Sequence, residues 1–134
     1  MSELDRIIQE RIGREVGGDF VPGQRRVALC YPSPYRVGMS SLGFQQIMGC
    51  LRESGIAAER AFLPEDVDAW RASRKSPYTY ETGTPVDRFP LLAISLAYEP
   101  EVMGLIQFLE LAGIPPLRRD RDERHPLILL GGPI

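Results

Sequence analysis

Two serines, Ser40 and Ser41, stand between Gly38 and Gly43 in a loop that follows an apolar segment. Glycine lets a ligand approach the backbone, and serine hydroxyls beside the start of a helix can bind an anion. The same residue types also form turns and helix caps. The loop is therefore a candidate ligand site, with a purely structural role as the alternative.

Polar or small residues also occur within or just after two later apolar segments. Ser95 lies within the segment 91–98, and a buried hydroxyl needs a hydrogen-bond partner. Gly131 and Gly132 follow the last apolar segment, where the lack of side chains would let a large flat ligand lie across the chain. A backbone partner for Ser95 and a tight turn at the glycines are the structural alternatives.

Other kinds of chemistry find little support in the sequence. It contains no Walker loop and no GxGxxG pattern, so the usual phosphate cradles are missing. His125, the single histidine, precedes the last strand, at the end of the sheet opposite a ligand. Cys30 and Cys50 form no CxxC pair and are predicted to be buried thiols. Three carboxylates are expected to be solvated or hydrogen-bonded rather than catalytic: Glu59, Glu81 and Glu99.

The elements that must position these residues follow from the apolar pattern. Four segments have the length of a strand, and most of them are uninterrupted apolar runs. They predict strands at 27–31, 58–63, 91–98 and 127–130. Apolar residues at helical spacing predict a helix that begins near Ser40 or Ser41, and a second one that carries Pro100 in its first turn. An amphipathic helix leads the chain and ends at Gly17 and Gly18. Residues 65–90 show little periodicity and predict an irregular excursion that covers a site or packs on a neighbour.

This order of strands and helices predicts an α/β fold, a flavodoxin-like or Rossmann-like three-layer sandwich with a mostly parallel sheet. Ligands of such sheets bind beyond the carboxyl ends of the strands, where the strand order reverses. With the strand order second, first, third, fourth, the fourth strand would be an exposed apolar edge, which natural proteins avoid. We therefore expect a sheet that is incomplete at one edge and a chain that continues past Ile134. Residues 1–24 are predicted to be a helix with its linker, and 25–134 the α/β domain.

Composition narrows the partners. The 134 residues carry a net charge of −2, which gives no overall attraction to nucleic acid. No apolar run reaches the length of about 18 residues that a membrane span needs, and the charged start is unlike a secretory signal. A cytoplasmic protein without membrane or nucleic-acid partners is expected.

In combination, several segments resemble the N-terminal half of cobalamin-binding-domain radical SAM proteins. They are, in order, RVALCYPSPYRVGMSSLGFQQI, AERAFLP, ISLAYE, LELAGIP and ERHPLILLGGP. Cobalamin-binding domains commonly carry an Asp-x-His-x-x-Gly loop after the first strand, a Ser-x-Leu signature at the third strand and Gly-Gly after the fourth. Here Ser33 and Tyr35 occupy the positions of that aspartate and of the histidine that ligates cobalt. The resemblance thus implies cobalamin held without a protein histidine, or a domain that has lost or changed its ligand.

The resemblance also implies where a corrin ring would lie. The residues expected to contact it are Ser33, Pro34, Tyr35, Gly38, Ser40, Ser95, Leu96, Gly131 and Gly132. Residues 34–38 would form the wall under the ring, and Tyr35 would shield the cobalt face. The four-iron cluster and S-adenosylmethionine would belong to a downstream radical SAM domain, because this sequence has no CxxxCxxC motif.

For the full protein, the resemblance implies a radical SAM enzyme, with methyl transfer as one suggested reaction. The chain by itself is not expected to catalyse it. A different hypothesis is a flavodoxin-like scaffold that binds no small molecule and whose excursion 65–90 docks on the radical SAM barrel. A third hypothesis is a flavin- or nucleotide-binding protein.

Overall fold

A computed structural model of the chain describes residues 3–15, 20–23 and 25–132. Four strands form one sheet in which every neighbouring pair is parallel: β1 (Arg26–Tyr31), β2 (Ala57–Phe62), β3 (Leu91–Ser95) and β4 (Leu127–Gly131). Their spatial order is β2-β1-β3-β4. The predicted α/β class and strand order are confirmed.

Within the described residues, five α-helices and two short 3₁₀ helices connect and flank the strands. The α-helices are α1 (Glu3–Arg14), α2 (Tyr35–Met39), α3 (Leu42–Glu53), α4 (Val67–Ser73) and α5 (Glu101–Leu111), and the 3₁₀ helices span Val86–Arg88 and Arg118–Asp120. The helix predicted near Ser41 is confirmed, because the Ser41 hydroxyl caps α3 by accepting a hydrogen bond from the Phe44 N–H at 3.2 Å. Gly17 and Gly18, the predicted end of α1, lie outside the described residues.

Four local predictions were wrong. Residues 65–90 contain α4, which begins after Asp66, whose side chain accepts a hydrogen bond from the Ala69 N–H. At seven residues, α4 is too short to show a periodic apolar pattern. The loop after β1 contains the five-residue α2. Strand β3 ends at Ser95, because the backbone N–H groups of Ala97 and Tyr98 donate to a side-chain carboxylate and not to a neighbouring strand. Cys50 is exposed while Cys30 is buried, because Cys50 lies on the outer face of α3.

Helices α3 and α5 cover opposite faces of the sheet. On one face, Leu105, Phe108 and Leu109 of α5 join a core with alternate strand residues such as Leu92 and Ile94. On the other face, Phe44 of α3 and Ile8 of α1 pack with Leu29, Tyr31 and Phe62. This is the predicted three-layer arrangement. In the described part of the chain, no helix is long and apolar enough to cross a membrane.

One half of one face is left without a helical layer. Strand partners on it are Leu91 with Leu127, Ala93 with Leu129 and Ser95 with Gly131, and we call these six residues the open face. Leu127 is 74% exposed and Leu129 58% exposed, whereas Leu92 and Ile94 on the reverse side of β3 are buried. The predicted exposed apolar edge is therefore confirmed.

Candidate functional site

A buried carboxylate lies where the strand order reverses, between the carboxyl ends of β1 and β3. It belongs to Glu101, the first residue of α5, which is only 6% exposed. One carboxylate oxygen accepts hydrogen bonds from the backbone N–H groups of Ala97 at 2.9 Å and Tyr98 at 3.2 Å, just after β3. The other accepts from the Ser33 hydroxyl at 2.9 Å, just after β1. Glu101 thus ties the two strand ends together.

Tyr31, the last residue of β1, joins the same group. Its side chain is fully buried. Burial, followed by the nearby Glu101 carboxylate, raises the pKa of Tyr31 above its ordinary value, so its phenol stays protonated at neutral pH. In this structure the position at which an α/β sheet usually receives its ligand is filled by the side chain of Glu101.

Tyr35 turns away from this position toward α1. Its hydroxyl donates a hydrogen bond to Glu15 at 2.6 Å, and its ring stacks on Tyr80 with centroids 5.1 Å apart. The Phe62 ring lies edge-to-face with the Tyr35 ring, with the two centroids 5.3 Å apart. Burial and the hydrogen bond to Glu15 raise the pKa of Tyr35 to about 12. Tyr35 is therefore a protonated member of an aromatic cluster in this structure.

The other predicted residues of the loop after β1 also make contacts within the chain. The Pro34 carbonyl accepts from the N–H groups of Val37 and Gly38 and so begins α2. A Cβ on Gly38 would lie 2.5 Å from the Phe62 ring, which makes Gly38 a close-packing position. The Ser40 hydroxyl donates to the Arg36 carbonyl at 2.7 Å. The backbone and side-chain groups of this loop are therefore engaged in forming helix α2 and in its contacts.

At the ends of β3 and β4 the predicted residues divide into two pairs. Leu96 is buried, and its N–H donates to the Gly131 carbonyl at 2.8 Å. Gly132 has a φ of 137°, and a Cβ there would lie 1.9 Å from the Leu96 carbonyl oxygen. Ser95 and Gly131, in contrast, are register partners on the open face, and a Cβ on Gly131 would meet no atom within 4 Å. Only this second pair faces accessible space.

The parallel strands thus bring Ser33, Ser95 and Gly131 to the carboxyl end of the sheet, as predicted. The side chain of Tyr35 instead turns toward Glu15. Sequence reasoning missed Glu101. The available signal was an acidic residue directly after Pro100, in the first turn of a helix that follows the third strand. Nothing in the sequence indicated that its side chain would reach back to Ser33.

Other buried charges are paired. Glu59, on β2, is fully buried and accepts from Arg26 at 2.8 Å and from Thr79 at 2.8 Å. Arg60 lies between Glu81 and Glu15 and donates to both. The expectation that Glu59 and Glu81 are hydrogen-bonded is confirmed. Burial by itself would raise the pKa of Glu15, but hydrogen bonds from Arg60 and Tyr35 lower it below its ordinary value.

The remaining reactive groups do not assemble into a site. Burial raises the pKa of the Cys30 thiol well above its ordinary value, which keeps it protonated. The His125 Nδ1 accepts a hydrogen bond from the Asp122 N–H at 3.0 Å, in the connection before β4. Among residues 3–15, 20–23 and 25–132, no three His, Cys, Asp or Glu side chains are grouped as metal ligands.

Comparison with known proteins gave one match. The model of a protein family described as "Radical SAM proteins, N-terminal" matches residues 43–134, more than half of the chain. The matched region begins in the first turn of α3 and includes β2, β3, α5 and β4. Neither the search of curated proteins nor the search of solved structures gave a match.

Proposed function

The chain belongs to the family of N-terminal regions of radical SAM proteins, and from this premise we propose that it is an accessory domain that docks on the radical SAM domain of the same protein. The open face is the surface that we propose for docking. In this proposal the iron–sulfur cluster and S-adenosylmethionine belong to the partner domain. This chain contributes the docking surface.

The exposed leucines of β4 are the observation that carries this proposal. Parallel sheets normally have both faces covered, and an unpaired edge strand invites pairing with further chain. Leu127 and Leu129 on the open face are 74% and 58% exposed, and β4 is hydrogen-bonded to β3 along one edge. Exposed apolar side chains on one face of a sheet are typical of an interaction surface. A segment of the radical SAM domain that covers the open face would remove these leucines from water.

The Leu127→Glu variant tests the docking. In the full radical SAM protein we expect it to lower hydrogen-exchange protection of the β4 amides about tenfold, because the charge opposes burial of the open face. Leu42→Glu is the matched control, since Leu42 at the start of α3 is 75% exposed and lies away from β4. Unchanged β4 protection in Leu127→Glu, or an equal loss in the control, would contradict docking through this face.

A second candidate function is cobalamin binding, which one observation favours. Ser95 and Gly131 lie side by side at the carboxyl end of the open face, with a hydroxyl next to open space. These two residues border open space, whereas the other predicted contact residues are engaged within the chain. We propose that Ser95 would hydrogen-bond a corrin ring and that Gly131 would allow its approach. Bound cobalamin would supply cobalt chemistry suited to methyl transfer.

Absorbance spectroscopy after cobalamin is added to the purified chain tests this candidate. A base-off spectrum with stoichiometric retention is the expected result, because the chain offers no histidine at the rim. Ser95→Leu should abolish retention by filling the space beside Gly131. Ser54→Leu is the control, since Ser54 caps the far end of α3 and bonds the Cys50 carbonyl. Retention that is equal in both variants would remove Ser95 from the site, and no retention by the unaltered chain would reject the candidate.

A further inference from the structure

The outer edge of β4 carries backbone groups that face away from the sheet. On the inner edge, the Leu127 N–H donates to the Pro90 carbonyl at 3.0 Å. Because the backbone groups of successive residues point alternately to the two sides of a strand, those of Ile128 and Leu130 point outward. No strand lies beyond β4 in the part of the chain that the structure describes. The outward N–H and C=O groups therefore face an open edge.

The opposite edge of the sheet, at β2, shows how this chain protects an edge strand. The Ala58 carbonyl accepts a hydrogen bond from the Arg52 guanidinium at 3.0 Å. The Arg60 N–H donates to the Glu81 carboxylate at 2.7 Å, and the Arg60 carbonyl accepts from the Tyr80 N–H at 2.8 Å. Outward groups of β2 are thus bonded within the chain, which prevents them from pairing with another strand.

Strand β4 lacks this protection. Its sequence, LILLG, contains no charged residue and no proline, the residue types that commonly guard an edge. Among the described residues, no side chain or loop bonds the outward groups of Ile128 and Leu130. The two edges of one sheet therefore differ: the β2 edge is closed by the chain itself, and the β4 edge is ready to pair.

The side chains of β4 also have the pattern of an interior strand. Leu129 is 58% exposed on the open face, and Leu130 is 52% exposed on the reverse face, where its register partner is the buried Ile94. Strands that are apolar on both faces are typical of the interior of a parallel sheet. A cover over the open face alone would leave Leu130 and the outward backbone groups in water.

We propose that a strand from the radical SAM part of the same protein pairs with the outer edge of β4 and extends the sheet to five strands. Its hydrogen-bond partners are the N–H and C=O groups of Ile128 and Leu130. The inference rests on the proposed docking and names the element that docks. The partner is an extended segment, because unpaired strand groups are complementary to another strand. It is apolar, because neither β4 nor the open face carries a charged side chain.

Hydrogen exchange resolved to single amides in the full radical SAM protein tests the pairing. We expect the Ile128 and Leu130 amides to exchange at least about a hundredfold more slowly than in an unstructured chain. The Leu129 amide is the internal reference, because it points toward β3 and is protected by this chain alone. Free exchange of Ile128 and Leu130 beside a protected Leu129 would overturn the proposal.

The Leu130→Pro variant separates hydrogen bonding from simple coverage of the edge. Proline removes only an outward N–H and is tolerated on edge strands, so the bonds between β3 and β4 remain. We expect it to lower the protection of the Ile128 amide at least about tenfold, because its ring occupies the place of the neighbouring strand. Leu130→Ala is the matched control, since it removes the same side chain and keeps the N–H. Equal protection of Ile128 in the two variants would also overturn the proposal.

Failure of the pairing and failure of the docking give different results. If Leu127→Glu lowers the protection of Leu129 while Ile128 exchanges freely in the unaltered protein, the open face docks without a paired strand and this inference is wrong. If Leu127→Glu changes nothing while Leu130→Pro exposes Ile128, the strand pairs with β4 and docking through the open face is wrong.

Discussion

Glu101→Ala is expected to lower the free energy of unfolding by about 3–5 kcal/mol, among the largest effects of any single substitution in this chain. The Glu101 carboxylate is buried and accepts hydrogen bonds from Ala97, Tyr98 and Ser33. Alanine would leave these donors without their acceptor in a site that water barely reaches, and each such loss costs about 1–3 kcal/mol. Urea denaturation followed by circular dichroism measures the change.

Two further variants separate hydrogen bonding from a general effect of substitution in α5. Glu101→Gln keeps one acceptor oxygen and should cost about half as much as alanine. Glu110→Ala removes an exposed glutamate from the same helix and should stay within about 0.5 kcal/mol of the original chain. A loss below about 1 kcal/mol in Glu101→Ala would show that the carboxylate does not hold the two strand ends together.

Gly104→Ala should destabilise the chain by about 2–3 kcal/mol, because α5 approaches the loop after β1 too closely for a methyl group. A Cβ at this position would lie 2.2 Å from the Pro32 carbonyl oxygen, which belongs to the backbone and cannot rotate away. The new methyl would have to push α5 or the loop aside and so weaken the bond between Ser33 and Glu101. Thermal and urea unfolding of the variant are the measurements.

The same substitution at Gly49 is the matched control and should have the opposite sign. Gly49 lies in the interior of α3, and a Cβ there would meet no atom within 4 Å. Alanine gains helix propensity over glycine, so Gly49→Ala should stabilise the chain by about 0.5–1 kcal/mol. Equal stability changes at the two glycines would contradict the close packing described for α5.

Glu101 and Gly104 together explain how the point of strand reversal is filled. The first turn of α5 presents a carboxylate to both strand ends, and the absence of a side chain at Gly104 lets this turn reach the Pro32 backbone. A ligand at this point would have to displace Glu101 from its hydrogen bonds. The open face remains accessible, and both proposed functions accordingly use it.

Much of the fold followed from local patterns in the sequence. The apolar segments 27–31 and 127–130 predicted strands because buried parallel strands are apolar on both faces. Ser41 before an amphipathic stretch predicted the start of α3, and the strand order predicted the uncovered apolar edge at β4. These features depend on residue periodicity, on caps and on the geometry of βαβ connections, all of which involve neighbours in sequence. The helix α4 was not predicted, because its seven residues make only about two turns and give no periodic apolar signal.

The sequence by itself therefore determined the sheet, its strand order, the main helices and the resemblance to radical SAM proteins that the family match supports. The tertiary structure decided which side chains are engaged in contacts within the chain. Tyr35 bonds Glu15, and Ser33 bonds Glu101, a partner 68 residues away. At Gly38 and Gly132 the absence of a side chain allows close packing within the chain and does not leave open space. Such pairings depend on distances between residues remote in sequence, which no local pattern encodes.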